Sequence, residues 1–372
     1  MTRVESVRLT DSSVPLHTPF VTALRRTETV DTLIVRVRDS DGRTGWGEAP
    51  QVWQVTGESL AGARSCIETM LAPGVVGHRL DDAADLATLG ARIQGAVARN
   101  FGAKAALDAA LHDLLAQGLG TSVSDLLGAG DSGIPSCVTT DVTLSAGEAS
   151  GLAAAARARV ADGFATLKLK VGTDATTDVA RVRAVRSAVG PEVGIRLDAN
   201  QGWSRHEAVE VIRALEDAAL DVEFVEQPVV ADDVEGLAWV RERVDLPIMA
   251  DESCYGMSDL ERIIRLGAAD LVNVKLAKCG SLAVGARMLR RAHESGLGTI
   301  VGSMMESHVG VGAAAALVAA VPTTRVSDLD AAWWSVHSPV HGGIAYDCNV
   351  VRLPDGTGLG ITGLSTPQPT SG

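Results

Sequence analysis

From residue 137 onward, short β-type runs alternate regularly with amphipathic helical segments. Strands that alternate with helices form parallel sheets, and eight βα units in succession close into a TIM-type barrel. The doubly wound alternative needs a G-x-G-x-x-G turn after its first strand, and none is present there. The sequence therefore predicts an α/β fold with a (β/α)7-8 TIM-type barrel. The eight runs are Cys137–Leu144, Thr166–Val171, Gly194–Asp198, Val222–Glu226, Pro247–Asp251, Leu271–Leu276, Gly298–Ser303 and Thr324–Asp328.

The first third of the chain has a different pattern. An alternating run over 32–38, a turn over 39–42 and a second run over 44–48 predict a β-hairpin. Apolar residues at helical spacing over 103–117 predict a helix that stops at Gly118. Turn-forming residues cluster at 128–135, which indicates a boundary. We expect an N-terminal α+β capping domain over 1–130, a barrel over 131–339, and a segment 340–372 that returns to the cap.

Two helix starts in the barrel region carry the pattern of a capping box. Ser204 is followed by Glu207, and Ser258 is followed by Glu261, each before an apolar-periodic segment. In a capping box the hydroxyl accepts from a backbone N–H of the first turn while the glutamate accepts from the N-cap N–H. We therefore expect helices to begin at these two serines.

Composition excludes several classes of partner. The chain has 33 Lys and Arg against 46 Asp and Glu, a net charge of −13, and 3% aromatic residues, which disfavours nucleic acid and anionic membranes. The longest apolar run, 309–321, is too short to span a bilayer, and no apolar leader follows Met1. The five cysteines show no C-x-x-C spacing, which argues against disulfides and thiolate zinc. We expect a cytoplasmic protein.

Carboxylates stand at the ends of three successive predicted strands. Asp198, Glu226 and Asp251 are spaced by one βα unit each. In a TIM-type barrel the chemistry lies at the carboxyl ends of the strands, where these side chains would converge. Three converging carboxylates are the ligands that a hard divalent cation prefers. We predict one Mg²⁺ per subunit.

Lysines flank this group of acids on both sides. Lys168 and Lys170 end the second predicted strand, and Lys275 ends the sixth, nearly across the barrel. Lysines close to one another and to a cation should have lowered pKa values, so that a neutral amine can act as a base. A metal between two opposed bases suits removal and return of a proton next to a carboxylate. That chemistry is racemisation, epimerisation or β-elimination.

These residues lie in motifs that resemble those of the enolase superfamily, muconate-lactonizing subgroup. Within it the chain is most similar to the dipeptide epimerases, and in particular to the L-Ala-D/L-Glu epimerases. The closer likeness rests on the cap segment 19–25, on 302–307 and on 327–330. The superfamily motifs are Thr166-Leu-Lys-Leu-Lys-Val-Gly172, Arg196-Leu-Asp-Ala-Asn200, Val225-Glu-Gln-Pro228, Met249-Ala-Asp-Glu-Ser253 and Asn273-Val-Lys-Leu-Ala-Lys-Cys-Gly280.

The resemblance implies a role for each candidate catalytic and metal residue. Lys170 and Lys275 would be the acid/base pair, with Lys168 supporting the first and helping to polarise the substrate carboxylate. The three carboxylates at the strand ends would bind Mg²⁺.

The resemblance also implies contacts with a dipeptide. Asp328 and Asp330 would hold its α-ammonium group, which suits two carboxylates. Arg25, or Arg26 beside it, would face a glutamate side chain. The segment 55–59 would belong to a lid, and the pair Trp333-Trp334 departs from the family pattern. The remaining substrate-lining positions are Thr143, Ser303 and Met305.

The predicted function is a Mg²⁺-dependent dipeptide epimerase that inverts the Cα of the second residue, with L-Ala-D/L-Glu from peptidoglycan turnover as first substrate. The close alternatives are N-acylamino acid racemase, o-succinylbenzoate synthase and muconate cycloisomerase, which do not need the two aspartates. A Schiff-base aldolase would need no metal carboxylates, and a catalytically silent binding barrel would need no bases. We expect a small-molecule substrate and a homo-oligomer.

Overall fold

A computed structural model describes residues 1–21, 26–53, 55–128, 133–145 and 147–365 of the 372-residue chain. The N-terminal part forms an antiparallel three-stranded sheet in the order β1-β2-β3, followed by helices. The predicted hairpin is confirmed, because Arg38 pairs with Thr44 around the turn between β2 and β3. The elements are β1 (Val4–Val21), β2 (Arg26–Asp39), β3 (Thr44–Pro50), α1 (Leu60–Cys66), a π-helical turn (Ile67–Leu71), a 3₁₀ turn (Ala72–Gly74), α2 (Ala83–Ala96), α3 (Phe101–Leu119) and α4 (Val123–Leu127).

The second part is the predicted barrel. Seven parallel strands pair in the order β11-β10-β9-β8-β7-β6-β5, with helices in the connections. The elements are β4 (Cys137–Thr139), β5 (Val142–Leu144), α5 (Ala149–Ala161), β6 (Thr166–Lys170), α6 (Ala175–Val189), β7 (Gly194–Asp198), α7 (Arg205–Asp217), β8 (Val222–Glu226), α8 (Val234–Arg241), β9 (Ile248–Ala250), α9 (Met257–Leu266), β10 (Leu271–Lys275), α10 (Leu276–Cys279), α11 (Leu282–Glu294), β11 (Gly298–Gly302) and α12 (His308–Ala320).

The chain after α12 closes the barrel and forms two small sheets. A 3₁₀ turn at Ala331–Trp334 is followed by β12 (Val340–Gly342), β13 (Ala345–Asp347), β14 (Val350–Arg352) and β15 (Ile361–Leu364). Strand β12 pairs with β15, while β13, β14 and β4 form the other sheet. Residues 358 and 359 make hydrogen bonds with the cap. The Gly358 amide donates to the carbonyl oxygen of Thr121 at 2.8 Å, and the Leu359 amide donates to Asp113 of α3 at 2.8 Å. The proposed division at residues 130 and 340 stays a prediction.

Two predicted barrel strands differ from the structure. The segment 324–328 is not a continuous strand, and it joins its neighbours through single parallel bridges, Gly302 to Asp328 and Thr140 to Ser327. The predicted strand 137–144 is broken into β4 and β5. The break lies where the chain passes from one sheet to another, because β4 pairs with β14 whereas β5 pairs with β6 in the barrel. Between them the Thr140 amide donates to the carbonyl oxygen of Asn349 at 2.9 Å.

The cap sheet lies directly against helix α3 because β3 carries two glycines. A Cβ built on Gly45 would lie 2.0 Å from the carbonyl oxygen of Ala110, and one on Gly47 would lie 1.9 Å from that of Ala106. Helix α3 is buried on nearly all sides, which is typical of a helix enclosed by other elements. It also reaches the barrel, where its Asp108 accepts from the Leu282 amide at the start of α11 at 2.8 Å.

Some predicted helix ends are confirmed and others are wrong. The capping box of Ser204 and Glu207 is present. The box predicted at Ser258 is not, because Asp259 accepts from the amides of Tyr255 and Gly256 and helix α9 begins at Met257. Helix α3 continues past Gly118 to Leu119, and Gly120 ends it in the left-handed conformation that glycine adopts readily. Among the described residues, no helix has both the length and the apolar character needed to cross a membrane.

Candidate active site

The predicted metal-binding carboxylates and the predicted catalytic lysines all lie together at the carboxyl ends of the barrel strands. Lys170 pairs in register with Asp198, and Asp198 with Glu226, so adjacent strands end at the same level. Asp251 follows the last residue of β9, and Lys275 ends β10. This placement follows from the parallel sheet, in which all carboxyl ends lie on one face.

Lys168 lies at the centre of this group. Its Nζ is 3.1 Å from Oδ2 of Asp198, 2.7 Å from Oε2 of Glu226 and 2.8 Å from Oδ2 of Asp328. Lys170 contacts the same Asp198 oxygen at 2.7 Å. Lys168 is 2% exposed, so these ion pairs are shielded from water and from salt.

Asp251 is held by two ammonium groups, one of which the sequence analysis missed. Lys275 Nζ lies 2.7 Å from its Oδ2. Lys278, in the short helix α10, donates to Oδ1 and to the main-chain oxygen of Asp251, and to the carbonyl oxygen of Asn273 at 3.0 Å. Lys278 stands between Ala277 and Cys279, so the rule that a lysine among apolar neighbours has a partner would have found it.

The carboxylates and the ammonium groups set one another's charge states. Burial opposes charge on Asp198 and Asp251, but Lys168 with Lys170 holds the pKa of the first below its ordinary value and Lys275 with Lys278 does so for the second. Burial and the neighbouring Asp198 raise the pKa of Glu226 to about 8, with Lys168 opposing them. The three acids therefore do not ionise alike.

The expectation of lowered lysine pKa values is wrong for this arrangement. Burial would lower the pKa of Lys168, but Asp198, Asp328 and Glu226 outweigh it and hold that pKa well above the ordinary value. Asp251 raises the pKa of Lys275 in the same way. The reason is that each ammonium lies against carboxylates, which favour its protonated form.

The two aspartates after β11 differ in their partners. Asp328 is ion-paired with Lys168. Asp330 accepts from the Thr143 amide at 2.7 Å and from the Trp334 indole at 3.0 Å, both at Oδ2. Burial and Asp328 raise the pKa of Asp330 to about 6. Both acids border one cavity, of about 750 Å³ empty volume, into which Lys168, Lys170, Lys275, Thr143, Ser303 and Met305 also face.

Residues of the cap border this cavity, and Val55 is the one residue of the predicted lid segment 55–59 among them. Phe20, Val52 and Val55 line the cavity beside the barrel residues. Val52 packs with Ala277 and Met304 of the barrel, and Val55 packs against that cluster. Phe20, Met304 and Trp334 also line the cavity but were not assigned from sequence, because an apolar side chain that borders a pocket looks the same in the sequence as one that packs in the core.

The predicted cap arginine, Arg25, lies outside the described residues. Arg26 is exposed, and its guanidinium pairs with Glu28 at 3.0 Å on the surface. It borders a separate depression that shares Met305 with the main cavity. The structure therefore does not bring Arg26 into the group of charged residues at the barrel centre.

The side chains fit a magnesium ion in their chemistry. Asp198, Glu226 and Asp251 are buried oxygen donors, and Glu226 Oε2 makes no hydrogen bond of good geometry although Lys168 lies near it. Among the residues that the structure describes, no three acidic, histidine or cysteine side chains stand ready to enclose an ion. The ammonium groups of Lys168 and Lys275 lie against these carboxylates instead.

Two family models match this chain. The mandelate racemase / muconate lactonizing enzyme N-terminal domain matches residues 4–128, and the enolase C-terminal domain-like model matches residues 151–364. The chain belongs to the enolase superfamily. The predicted resemblance is thereby confirmed, and so is the fold of a capped barrel.

Individual relatives in the superfamily cover almost the whole chain. L-Ala-D/L-Glu epimerase of Bacillus subtilis is 39% identical over 98% of this chain and 97% of its own length. A solved substrate-liganded complex of that enzyme superposes with a TM-score of 0.93 at 38% identity, covering 98% of this chain and 100% of the other. Dipeptide epimerase of Enterococcus faecalis, solved with Mg and the dipeptide L-Leu-L-Tyr, gives a TM-score of 0.90 at 36% identity and covers 97% and 99%.

Proposed function

We propose that this protein is a Mg²⁺-dependent dipeptide epimerase that inverts the Cα of the second residue, with L-Ala-D/L-Glu as the first substrate to test. The observation that carries the proposal is that two lysines on opposite sides of the barrel border the same cavity as two aspartates. Lys170 and Lys275, on strands four positions apart in the sheet, face one cavity that Asp328 and Asp330 also border. The similarity to L-Ala-D/L-Glu epimerases over nearly the full length supports the same function.

The two lysines supply the proton transfers. One Nζ, after losing its own proton, takes the α-proton from one face of the second residue, and the other Nζ delivers a proton to the opposite face. Lys168 stays protonated between its carboxylates and orients the substrate carboxylate by charge. Inversion needs bases on both faces, which strands β6 and β10 provide.

Asp198, Glu226 and Asp251 would hold the metal. When bound, Mg²⁺ would offset the negative charge of these acids and stabilise negative charge on a substrate carboxylate. Asp251 now stabilises the protonated form of Lys275, so a metal that took up the charge of Asp251 would ease the release of a proton from Lys275.

The remaining site assignments are proposals of the same kind. Asp328 and Asp330 bind the α-ammonium group of the dipeptide, since buried carboxylates bind a cation strongly. Thr143, Ser303 and Met305 border the substrate. We assign the side-chain carboxylate of a second-residue glutamate to Arg25 or Arg26.

We further propose that the substrate comes from peptidoglycan turnover in the cytoplasm, and that the protein is a homo-oligomer. All five cysteines are free thiols, which suits a reducing compartment. Light scattering on the purified protein tests the homo-oligomer directly.

The test is incubation with a dipeptide library in D₂O with Mg²⁺, with deuterium read at the second-residue Cα by mass spectrometry. We expect exchange with free dipeptides, no exchange with EDTA, and loss of dipeptide exchange in Asp330→Asn. If N-acylamino acids exchange and dipeptides do not, the N-acylamino acid racemase alternative is correct. Exchange that persists in EDTA contradicts the metal requirement.

A further inference from the structure

Trp334 makes the only side-chain hydrogen bond to Asp330 among the described residues. Its indole Nε1 donates to Asp330 Oδ2 at 3.0 Å, and the Thr143 amide donates to that same oxygen at 2.7 Å. Two donors on one oxygen fix the rotation of the carboxylate. In the described part of the chain Oδ1 accepts no hydrogen bond, and Asp330 borders the cavity, so Oδ1 is the oxygen available to a ligand.

Asp330 also lacks the cationic partner that its neighbour has. Asp328 is ion-paired with Lys168 at 2.8 Å, whereas Asp330 makes no ion pair with any described side chain. A buried carboxylate without a cation is costly, and its charge is best satisfied by a cation that a ligand brings. The orientation of Asp330 therefore decides where that cation sits.

Trp334 is attached to the cap as well as to the barrel. Its ring lies 6.2 Å from the ring of Phe20 and 5.1 Å from that of His17, both on β1. The residues that follow continue the contact, since Ser335 bridges to Leu16 and the Val336 amide donates to the carbonyl oxygen of Pro15 at 2.9 Å. The cap strand and the carboxylate are thus held by one side chain.

We propose that Trp334 is a positioning residue that orients Asp330 toward the α-ammonium group of the substrate and ties that orientation to cap strand β1. This inference rests on the proposed function. The role is specific to ligands with a free amino terminus, because an acylated nitrogen carries no positive charge for Asp330 to hold. Trp334 thereby contributes to the choice of free dipeptides over N-acylated substrates.

Trp333 provides a matched control. It is the same residue type, next in the chain, and packs in the same aromatic cluster, 4.9 Å from the Trp334 ring and 5.1 Å from that of Phe164. Its indole makes no hydrogen bond with a described residue and it does not line the cavity. Trp333→Phe therefore perturbs packing without removing a donor from Asp330.

The experiment measures calorimetric binding, in Mg²⁺ buffer, of a 1:1 mixture of L-Ala-L-Glu and L-Ala-D-Glu, and of the same mixture N-acetylated. The equal mixture suppresses heat from turnover. We expect the wild-type protein to bind the free dipeptides more tightly, and Trp334→Phe to reduce this preference about tenfold, the size of one hydrogen bond to a charged group. Trp333→Phe should keep the wild-type preference.

The ratio of the two affinities distinguishes a loss of positioning from a general loss of structure, because a destabilised fold would weaken the binding of both mixtures alike. If Trp334→Phe and Trp333→Phe show the same preference as the wild type, Trp334 does not position Asp330 and the proposed function is unaffected. If the wild-type protein binds both mixtures equally, or neither of them, the ammonium site and with it the proposed function are wrong.

Discussion

Tyr255 donates its phenolic hydrogen to the carbonyl oxygen of Val55 at 2.7 Å, joining the loop after β9 to the cap across 200 residues of sequence. Val55 borders the cavity of the candidate active site, and Tyr255 lies four residues after Asp251. Burial raises the pKa of Tyr255 to about 12, so the hydroxyl stays a donor in neutral solution. The bond holds the covering segment of the cap against the loop that carries a proposed metal ligand.

Tyr255→Phe should weaken substrate binding more than it weakens the fold. Loss of this hydrogen bond removes about 1 kcal/mol of support from the covering segment. We expect KM for a dipeptide to rise several-fold with little change in kcat and in Tm, measured by steady-state kinetics and thermal unfolding. Thr88→Val is the control. It removes an exposed hydroxyl of helix α2 that donates a hydrogen bond to the carbonyl oxygen of Ala84, and it should leave KM unchanged. An unchanged KM in Tyr255→Phe would contradict a role for the bond in covering the site.

Lys278→Met should destabilise the protein more than Lys275→Met does. Lys278 is fully buried and binds a carboxylate and two carbonyl oxygens, whereas Lys275 borders the cavity, where water can replace it. Removing one partner of a buried ion pair costs about 3–5 kcal/mol. Urea unfolding without metal should show this loss for Lys278→Met and a smaller one for Lys275→Met. Equal losses would show that the two lysines support Asp251 alike.

Glu306→Gln should make stability less sensitive to pH. Burial, with Glu48 nearby, raises the pKa of Glu306 from 4.5 to about 8. The folded state favours the protonated form of Glu306. The stability that this group contributes to folding is therefore fully present below pH 4.5 and is lost as the pH rises to about 8.

Urea unfolding at several pH values across that window measures the difference between the two proteins. The wild-type protein should lose stability relative to Glu306→Gln by a few kcal/mol as the pH rises. Glu242→Gln, on the surface, should follow the wild-type curve. Parallel curves for wild type and Glu306→Gln would mean that Glu306 has an ordinary pKa in the folded protein.

Gly47→Ala should prevent the cap from packing. The added methyl would lie 1.9 Å from the carbonyl oxygen of Ala106, which is backbone and cannot move without displacing α3. We expect loss of soluble protein or a large fall in Tm. Gly95→Ala in α2 meets nothing within 4 Å and should raise the free energy of unfolding by about 0.5–1 kcal/mol. A Gly47→Ala protein with the wild-type Tm would contradict the close contact of β3 with α3.

Much of the candidate site could be predicted because its residues follow strands that are locally recognisable. Lys170, Asp198, Glu226 and Lys275 each end a β-type run, and a parallel barrel brings all such ends to one face. The same reasoning was wrong at 324–328, where the β-type run makes only single bridges, Thr140 to Ser327 and Gly302 to Asp328, instead of a regular ladder. A β-type run shows that a segment can be extended, but whether it joins a ladder depends on backbone partners far away in the chain, which the run itself does not specify.

Local periodicity and spacing, which act over a few residues, were enough to predict the order of the strands and the hairpin of the cap. They also predicted which charged residues lie at the carboxyl ends of the barrel strands. The ion pairs between individual lysines and carboxylates, among them that of Lys278 with Asp251, depend on the three-dimensional fold. The hydrogen bond from Trp334, which links Asp330 to the cap, depends on it as well. The lysine pKa values also follow from those contacts. Coulomb energies and hydrogen bonds depend on distances of a few ångströms between groups far apart in the chain, and folding alone sets those distances.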